Sequence, residues 1–178
     1  MLKLMSGSAK IIDRYAGMTH LGDGQPYVSR ILEIVDRIQL LGDFNADEVN
    51  RLAPYLACYS APATTEIIVE GTEGDFMLLL ISGFVEVVKK DAFGTPKTVG
   101  LVGPGNTLGE MSMIDGLPRS ASCIAVEDVI FAVLDRDNLT RIITDEPRIG
   151  TKILIELVQL LSQRLRNATS QLADYLDV

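Results

Sequence analysis

The sequence predicts a mainly β domain with flanking helices: an antiparallel β-barrel or jelly roll (a double-stranded β-helix) with helices on its N-terminal side and one long C-terminal helix. Three observations predict it. Between residues 58 and 134, short β-rich runs are broken at even spacing by turn residues, as in Asp91-Ala92-Phe93-Gly94 and Gly103-Pro104-Gly105-Asn106, the pattern of small antiparallel barrels. Before that stretch the apolar residues recur at helical spacing. After Pro147 they follow a sustained 4-3 repeat.

Residues 1–27 are mixed in composition, carry Gly17, Gly22, Gly24 and Pro26, and show no sustained period; they are expected to form a flexible arm. Val28 to Leu41 places Ile31, Leu32, Ile34, Val35 and Ile38 at helical spacing, which predicts one helix. Asn45 is a suitable N-cap for a second helix from Ala46 to Leu56. Within the barrel, Val85 and Val87 fall on one face of their strand and Glu86 on the other, as in a strand with one dry side. Helices are expected again over 136–176. In the last of them Leu154, Val158, Leu161, Leu165, Ala168, Leu172 and Tyr175 form a seam suited to a parallel partner helix. A helix from about Pro147 to Leu176 is about 45 Å long at 1.5 Å per residue. The neighbouring row Ile153, Leu157 and Leu160 faces back towards the barrel. A homodimer through this helix is expected; in the competing reading the apolar surface folds entirely on its own domain.

Composition excludes several functions. The chain has 178 residues, 47% of them apolar, enough for one domain (28–178) with a real core. Sixteen basic against 24 acidic residues give a net charge of −8, and no basic cluster interleaved with aromatics stands out, so direct nucleic-acid binding is not expected. No apolar run reaches the roughly 18 residues needed to span a bilayer, and the first residues lack a signal-peptide core; a cytoplasmic protein is expected. Cys58 and Cys123 are too few for a disulfide scaffold and have no basic neighbours, so both read as core thiols. The single histidine, His20, leaves no set of metal ligands and no Ser-His or Cys-His nucleophile. Gly103 and Gly105 lack both a third glycine and a following long helix, so they are no dinucleotide loop. A non-enzyme without cofactor or metal is expected.

The segment Leu108-Gly109-Glu110-Met111-Ser112-Met113-Ile114-Asp115-Gly116-Leu117-Pro118-Arg119-Ser120-Ala121-Ser122 carries the function. Two exposed charges nine residues apart would form an ordinary ion pair worth about 0–1 kcal/mol. The order of residues around them argues otherwise. An arginine among Met, Ile, Leu and Ala calls for an anion, since burying it unpaired costs several kcal/mol. Its donor fork matches two phosphate oxygens at once. Small residues at Gly109, Ser112, Ser120 and Ala121 allow a ligand to approach the backbone, and a helical turn starting near Glu110 aims amide N–H groups at anionic oxygens. Glu110, an acceptor when ionised, suits sugar hydroxyls. Together these residues read as a pocket for a sugar phosphate.

This segment closely resembles the phosphate-binding cassette of the cyclic nucleotide-binding domain family. The resemblance extends from about Leu40 to the C-terminus, through Ile67-Ile68-Val69-Glu70-Gly71 and Phe76-Met77-Leu78-Leu79-Leu80-Ile81-Ser82-Gly83-Phe84-Val85-Glu86-Val87, which look like the family's early strands and turns. It implies that Arg119 grips the cyclic phosphate and Glu110 holds the ribose 2′-hydroxyl. Gly109, Met111, Ser112, Ser120 and Ala121 would complete the cassette, while Val87, Val99, Gly100 and Leu108 line the base and sugar side. In members resembling the bacterial catabolite activator, the long helix caps the base and forms the dimer seam; Asn167, Thr169 and Ser170 occupy that stretch here. Such members continue into a DNA-reading helix-turn-helix, whereas this sequence ends at Val178. The expectation is a stand-alone cyclic-nucleotide sensor, with cAMP favoured over cGMP, whose helices repack on binding and signal to an unidentified effector protein. The alternative is a ligand-free structural dimerisation module.

Overall fold

The structure, a computed structural model, describes residues 17–35 and 38–176. Residues 1–16 of the expected arm, 36–37 of the first expected helix and the Tyr175 side chain of the seam lie outside the described residues.

Nine strands among the described residues form two antiparallel sheets. They are β1 (Thr19–Asp23), β2 (Ala57–Ala61), β3 (Glu66–Ile68), β4 (Phe76–Ser82), β5 (Val85–Lys90), β6 (Pro96–Val102), β7 (Thr107–Leu108), β8 (Ser122–Ala125) and β9 (Val129–Asp135). One sheet runs β1-β2-β9-β4-β7 and the other β3-β8-β5-β6. Among the described residues five α-helices accompany them: α1 (Val28–Glu33), α2 (Ala46–Leu52), α3 (Glu110–Asp115), α4 (Arg136–Asp145) and α5 (Pro147–Leu176).

Side-chain alternation explains how these layers stack. The unbroken apolar run of β4 is buried on both faces, as expected of a strand covered on each side. Phe76, Leu78 and Leu80 point between the sheets with Tyr59, Val85, Phe131 and Val133. Met77, Leu79 and Ile81 point the other way, into a second core with Ile31, Leu41, Val49, Leu139, Ile142, Ile149, Ile153 and Leu157 from the helical parts. The four-stranded sheet has one dry side: Val85 is fully buried and Glu86 lies in register with exposed Leu101. Ile153, Leu157 and Leu160 are buried as their spacing predicts, whereas Val158, Leu165 and Leu172 on the seam are exposed.

Three expectations are corrected. The arm assigned to residues 1–27 contains β1, which pairs with β2 and extends the five-stranded sheet. The strand has no alternating burial pattern because its register slips between His20 and Gly22, and His20 lies against the Tyr59 ring at 5.0 Å. The helix expected over 28–41 ends at Glu33. Ile34 leaves helical geometry (φ −115°, ψ 4°) and Ile38 is extended (φ −85°, ψ 100°) ahead of a single 3-10 turn at Gln39–Leu41. This break lets Ile31, Ile38 and Leu41 all reach one core, each at most 1% exposed, and the β-branched Ile34-Val35 pair, of lowered helix propensity, opposes the break little. The second helix starts at the predicted Asn45 cap, with a reciprocal Glu48 capping box. It stops at Leu52, not Leu56, because Pro54 has no N–H for the Asn50 carbonyl; the Gln25 side chain donates there at 2.8 Å. Among the described residues no helix is long and apolar enough to cross a membrane.

Candidate functional site

Gly109 closes β7 and opens α3 with φ +83°, a conformation suited to glycine. The turn starts α3 beneath β4, with Glu110, Ser112 and Met113 facing inward. At the other end of the segment, backbone bonds hold Arg119 against the β3–β4 loop: its N–H donates to Thr72 O and its carbonyl accepts from Gly71 N, both at 2.8 Å. The segment thus doubles back, and Glu110 and Arg119 meet around a cavity of about 80 Å³.

Nine of the predicted residues line this cavity: Val87, Leu108, Gly109, Glu110, Met111, Ser112, Arg119, Ser120 and Ala121, joined by Ile68, Cys123 and Arg164. Arg119 is 4% exposed. Its Nη1 donates to the Gly109 carbonyl at 2.7 Å and its Nη2 to the Phe76 carbonyl at 2.8 Å, while its guanidinium lies 4.3 Å from the Phe76 ring centre. It therefore carries two backbone carbonyls as well as a charge facing the cavity. Gly74 and Gly109 crowd that guanidinium; a Cβ on either would fall 2.1 Å from Nε or 2.5 Å from Nη1, respectively.

Glu110 is 1% exposed. Its Oε1 accepts from Arg164 Nη1 of α5, and Arg164 Nη2 donates to the Thr107 carbonyl at 2.7 Å. Its Oε2 is buried and has no hydrogen-bond partner among the described residues, a costly state for a carboxylate oxygen. One carboxylate against two guanidiniums makes the lining net positive in a chain of net charge −8, as suits an anionic ligand with hydroxyl donors.

Arg164 is the charge that sequence reasoning missed, although its signal was present. It continues the inward row Ile153, Leu157, Leu160 at the next 4-residue step, where an arginine on an apolar stripe implies a buried partner. Cys123 and Cys58 are buried free thiols, and burial pushes each up to about 12. Cys123 stands in the cavity wall as an unreactive thiol.

Five predicted residues lie off the cavity. Val99 is 60% exposed on β6, where the register shifts beside Gly100; Gly100 pairs with Val87 from behind the lining. Asn167, Thr169 and Ser170 are exposed on α5 beyond Arg164. There Asn167 accepts from Gln163, and Thr169 donates to the Leu165 carbonyl, each at 2.9 Å. Among the described residues no group of three or more His, Cys, Asp or Glu is arranged to hold a metal.

Fold and lining together define a double-stranded β-helix domain whose cavity sits between its sheets and a long C-terminal helix. The model of the cyclic nucleotide-binding domain matches residues 60–146. The crystal structure of a cyclic nucleotide-binding domain from Methylobacillus flagellatus KT superposes with a TM-score of 0.81 at 43% identity, over 90% of either chain. The chain belongs to the cyclic nucleotide-binding domain family. It is also similar to the CRP-like cAMP-activated global transcriptional regulator of Mycobacterium tuberculosis (29% identical over 142 residues, 80% of this chain and 62% of the relative). A cAMP-dependent protein kinase regulatory subunit of Aspergillus fumigatus is 36% identical over 109 residues, 61% of this chain and 26% of the relative. The chain thus spans less than two thirds of the length of either of these regulators.

Proposed function

We propose that the cavity binds a 3′,5′-cyclic nucleotide, cAMP in preference to cGMP, and that binding is read out through α5. The observation that carries this reading is Glu110 Oε2, a buried acceptor without a partner in a cavity that Arg119 also lines. A ribose 2′-hydroxyl donates to that oxygen, and the cyclic phosphate lies against the Arg119 guanidinium and the first turn of α3. The preference for cAMP rests on the similarity to regulators named for cAMP. The output is regulatory, not catalytic. Arg164 joins Glu110 to α5, so a ligand that engages Glu110 changes what holds the helix, and occupancy shifts the population of α5 positions. The exposed seam of Val158, Leu165 and Leu172 supports a parallel homodimer through the same helix, from which an effector protein would read the change.

The test is isothermal titration of protein stripped of carried-over ligand by unfolding and refolding, with cAMP, cGMP and 5′-AMP in parallel. Micromolar or tighter binding of a cyclic nucleotide, tightest for cAMP, and none of 5′-AMP is the expected result. A folded dimer that takes up none of the three refutes the sensor reading in favour of a structural dimerisation module.

A further inference from the structure

The first residue of α4 reaches back to the cavity-forming helix. Arg136 Nε donates to the Met113 carbonyl at 2.8 Å and Nη2 to the Ser112 carbonyl at 3.1 Å. These carbonyls belong to the last turn of α3: Ser112 O also accepts from Gly116 N at 3.0 Å, whereas the Leu117 N–H that would follow onto Met113 O donates to Asp115 Oδ1 instead, at 2.9 Å. A cation at this end also meets the negative end of the helix dipole. The Arg136 backbone is fixed in turn, its N–H donating to Asp75 O at 2.8 Å. The next residue, Phe76, supplies the carbonyl held by Arg119. Met113 is 1% exposed and packs in the same core as Leu139 and Ile142 of α4 and Ile149 and Ile153 of α5.

We infer that Arg136 is a positioning residue: it braces the last turn of α3 against the start of α4, so that tightening of α3 around a ligand is transmitted to the α4–α5 pair. The two helices after the barrel are thereby tied to the site at two points. Arg136 holds the C-terminal end of α3, and Arg164, 28 residues on, holds Glu110 at its first turn. A ligand that moves α3 changes both contacts together, which makes the response of α5 a rigid displacement of the pair. This coupling rests on the cyclic-nucleotide reading; the bracing of α3 does not.

The experiment is amide hydrogen exchange on full-length wild type, Arg136→Gln, Arg136→Lys and Arg141→Gln, each without ligand and at saturating cAMP. Arg141 is the control because it lies on the same helix and bonds Asn138, not α3. Without ligand, Arg136→Gln raises exchange at residues 113–116 about tenfold relative to β4 and β9, Arg136→Lys raises it less, and Arg141→Gln leaves it unchanged. With cAMP bound, the protection that wild type gains across 136–164 falls by at least about half in Arg136→Gln. If Arg136→Gln does not fold, Arg136→Lys, which keeps the charge without the fork, carries the comparison. Unchanged exchange at 113–116 in the ligand-free variants overturns the bracing. Loosened 113–116 with full protection of 136–164 by cAMP overturns the coupling. A wild-type protein that gains no protection from cAMP and none from cGMP defeats the cyclic-nucleotide reading and the coupling with it, and the ligand-free comparison then decides the bracing alone.

Discussion

Gly74→Ala adds one methyl group to the β3–β4 loop, and the structure says where its effect goes. The new Cβ stands 2.1 Å from Arg119 Nε, 2.4 Å from Cζ and 2.5 Å from Nη2. Gly74 has no left-handed backbone to strain, and the three nearest atoms to the added methyl all belong to Arg119, so the clash with Arg119 dominates the perturbation. The guanidinium must retreat by about 1 Å to regain ordinary contact. Its bonds of 2.7 Å to Gly109 O and 2.8 Å to Phe76 O cannot both survive that shift. Each such charge-assisted bond contributes about 1.5–3 kcal/mol, and partial relaxation of a long side chain recovers some of it, so a loss of about 2–3 kcal/mol in stability is expected. A displaced fork is also expected to weaken the proposed cyclic-nucleotide binding by about 10- to 100-fold. Urea unfolding and titration calorimetry measure the two effects. The mechanism is tested by repeating the substitution in an Arg119→Ala background, where the atoms that clash are gone and the cost of Gly74→Ala falls below about 0.5 kcal/mol. An equal cost in both backgrounds refutes the reasoning, because the methyl would then be acting through something other than Arg119.

Arg164→Ala leaves the Glu110 carboxylate buried without its cation and costs about 2–3 kcal/mol in urea, with most of this recovered in the Arg164→Ala/Glu110→Gln double variant; a double variant no more stable than the single one contradicts the pairing. Asp135 caps α4 by accepting from Asn138 N at 2.7 Å, yet burial, its largest influence, raises its pKa from the ordinary aspartate value, with the Asn138 bond opposing. A raised folded-state pKa favours the protonated form. The contribution is therefore fully present below the unfolded-state value and is lost as pH rises through the folded-state value. Asp135→Asn, which retains a capping oxygen, is expected to flatten this part of the stability profile on the alkaline side of the unfolded-state value, and an unchanged profile would show that Asp135 does not contribute to it. The proposed homodimer is tested by Leu165→Asp on the exposed seam: the wild type is expected to be dimeric by light scattering and the variant monomeric, with an unfolding midpoint that no longer depends on concentration; a monomeric wild type overturns the dimer, and a variant that remains dimeric places the interface elsewhere.

Local pattern carried much of this molecule. The apolar run of β4, the alternation in β5, the Asn45 cap and the two apolar rows of α5 each depend on residues a few positions apart, so periodicity and end chemistry expose them. The cavity is legible for a related reason: nine of its lining residues follow from the sequence, and seven of these lie between Gly109 and Ala121, where composition and the order of residues both point to an anion and a hydroxyl.

Contacts that close over long separations were not legible in this way. β1 exists because β2 offers it a free edge, and its slipped register erases the alternation that would have announced it. The break after Glu33 serves a core assembled from several elements, and the stop at Leu52 leaves Asn50 O to a glutamine 25 residues earlier. The partners of the site's charged groups are equally remote: Arg119 bonds a carbonyl 43 residues away and Glu110 an arginine 54 residues on. The residues expected from β6 and the far end of α5, Val99, Gly100, Asn167, Thr169 and Ser170, lie off the cavity because strand twist and helix phase, both set by packing, decide which side chains reach it. Sequence alone determined the β-rich stretch from 58 to 134, the helix start at Asn45, the long helix after Pro147, and that Glu110, Arg119 and the small residues beside them form the site, since those depend on neighbours along the chain. Tertiary structure alone decided that Arg119 is braced by two carbonyls, that Arg164 completes Glu110 and that Arg136 ties α3 to α4, because each is a hydrogen bond between groups that only the packed sheets and helices bring within reach.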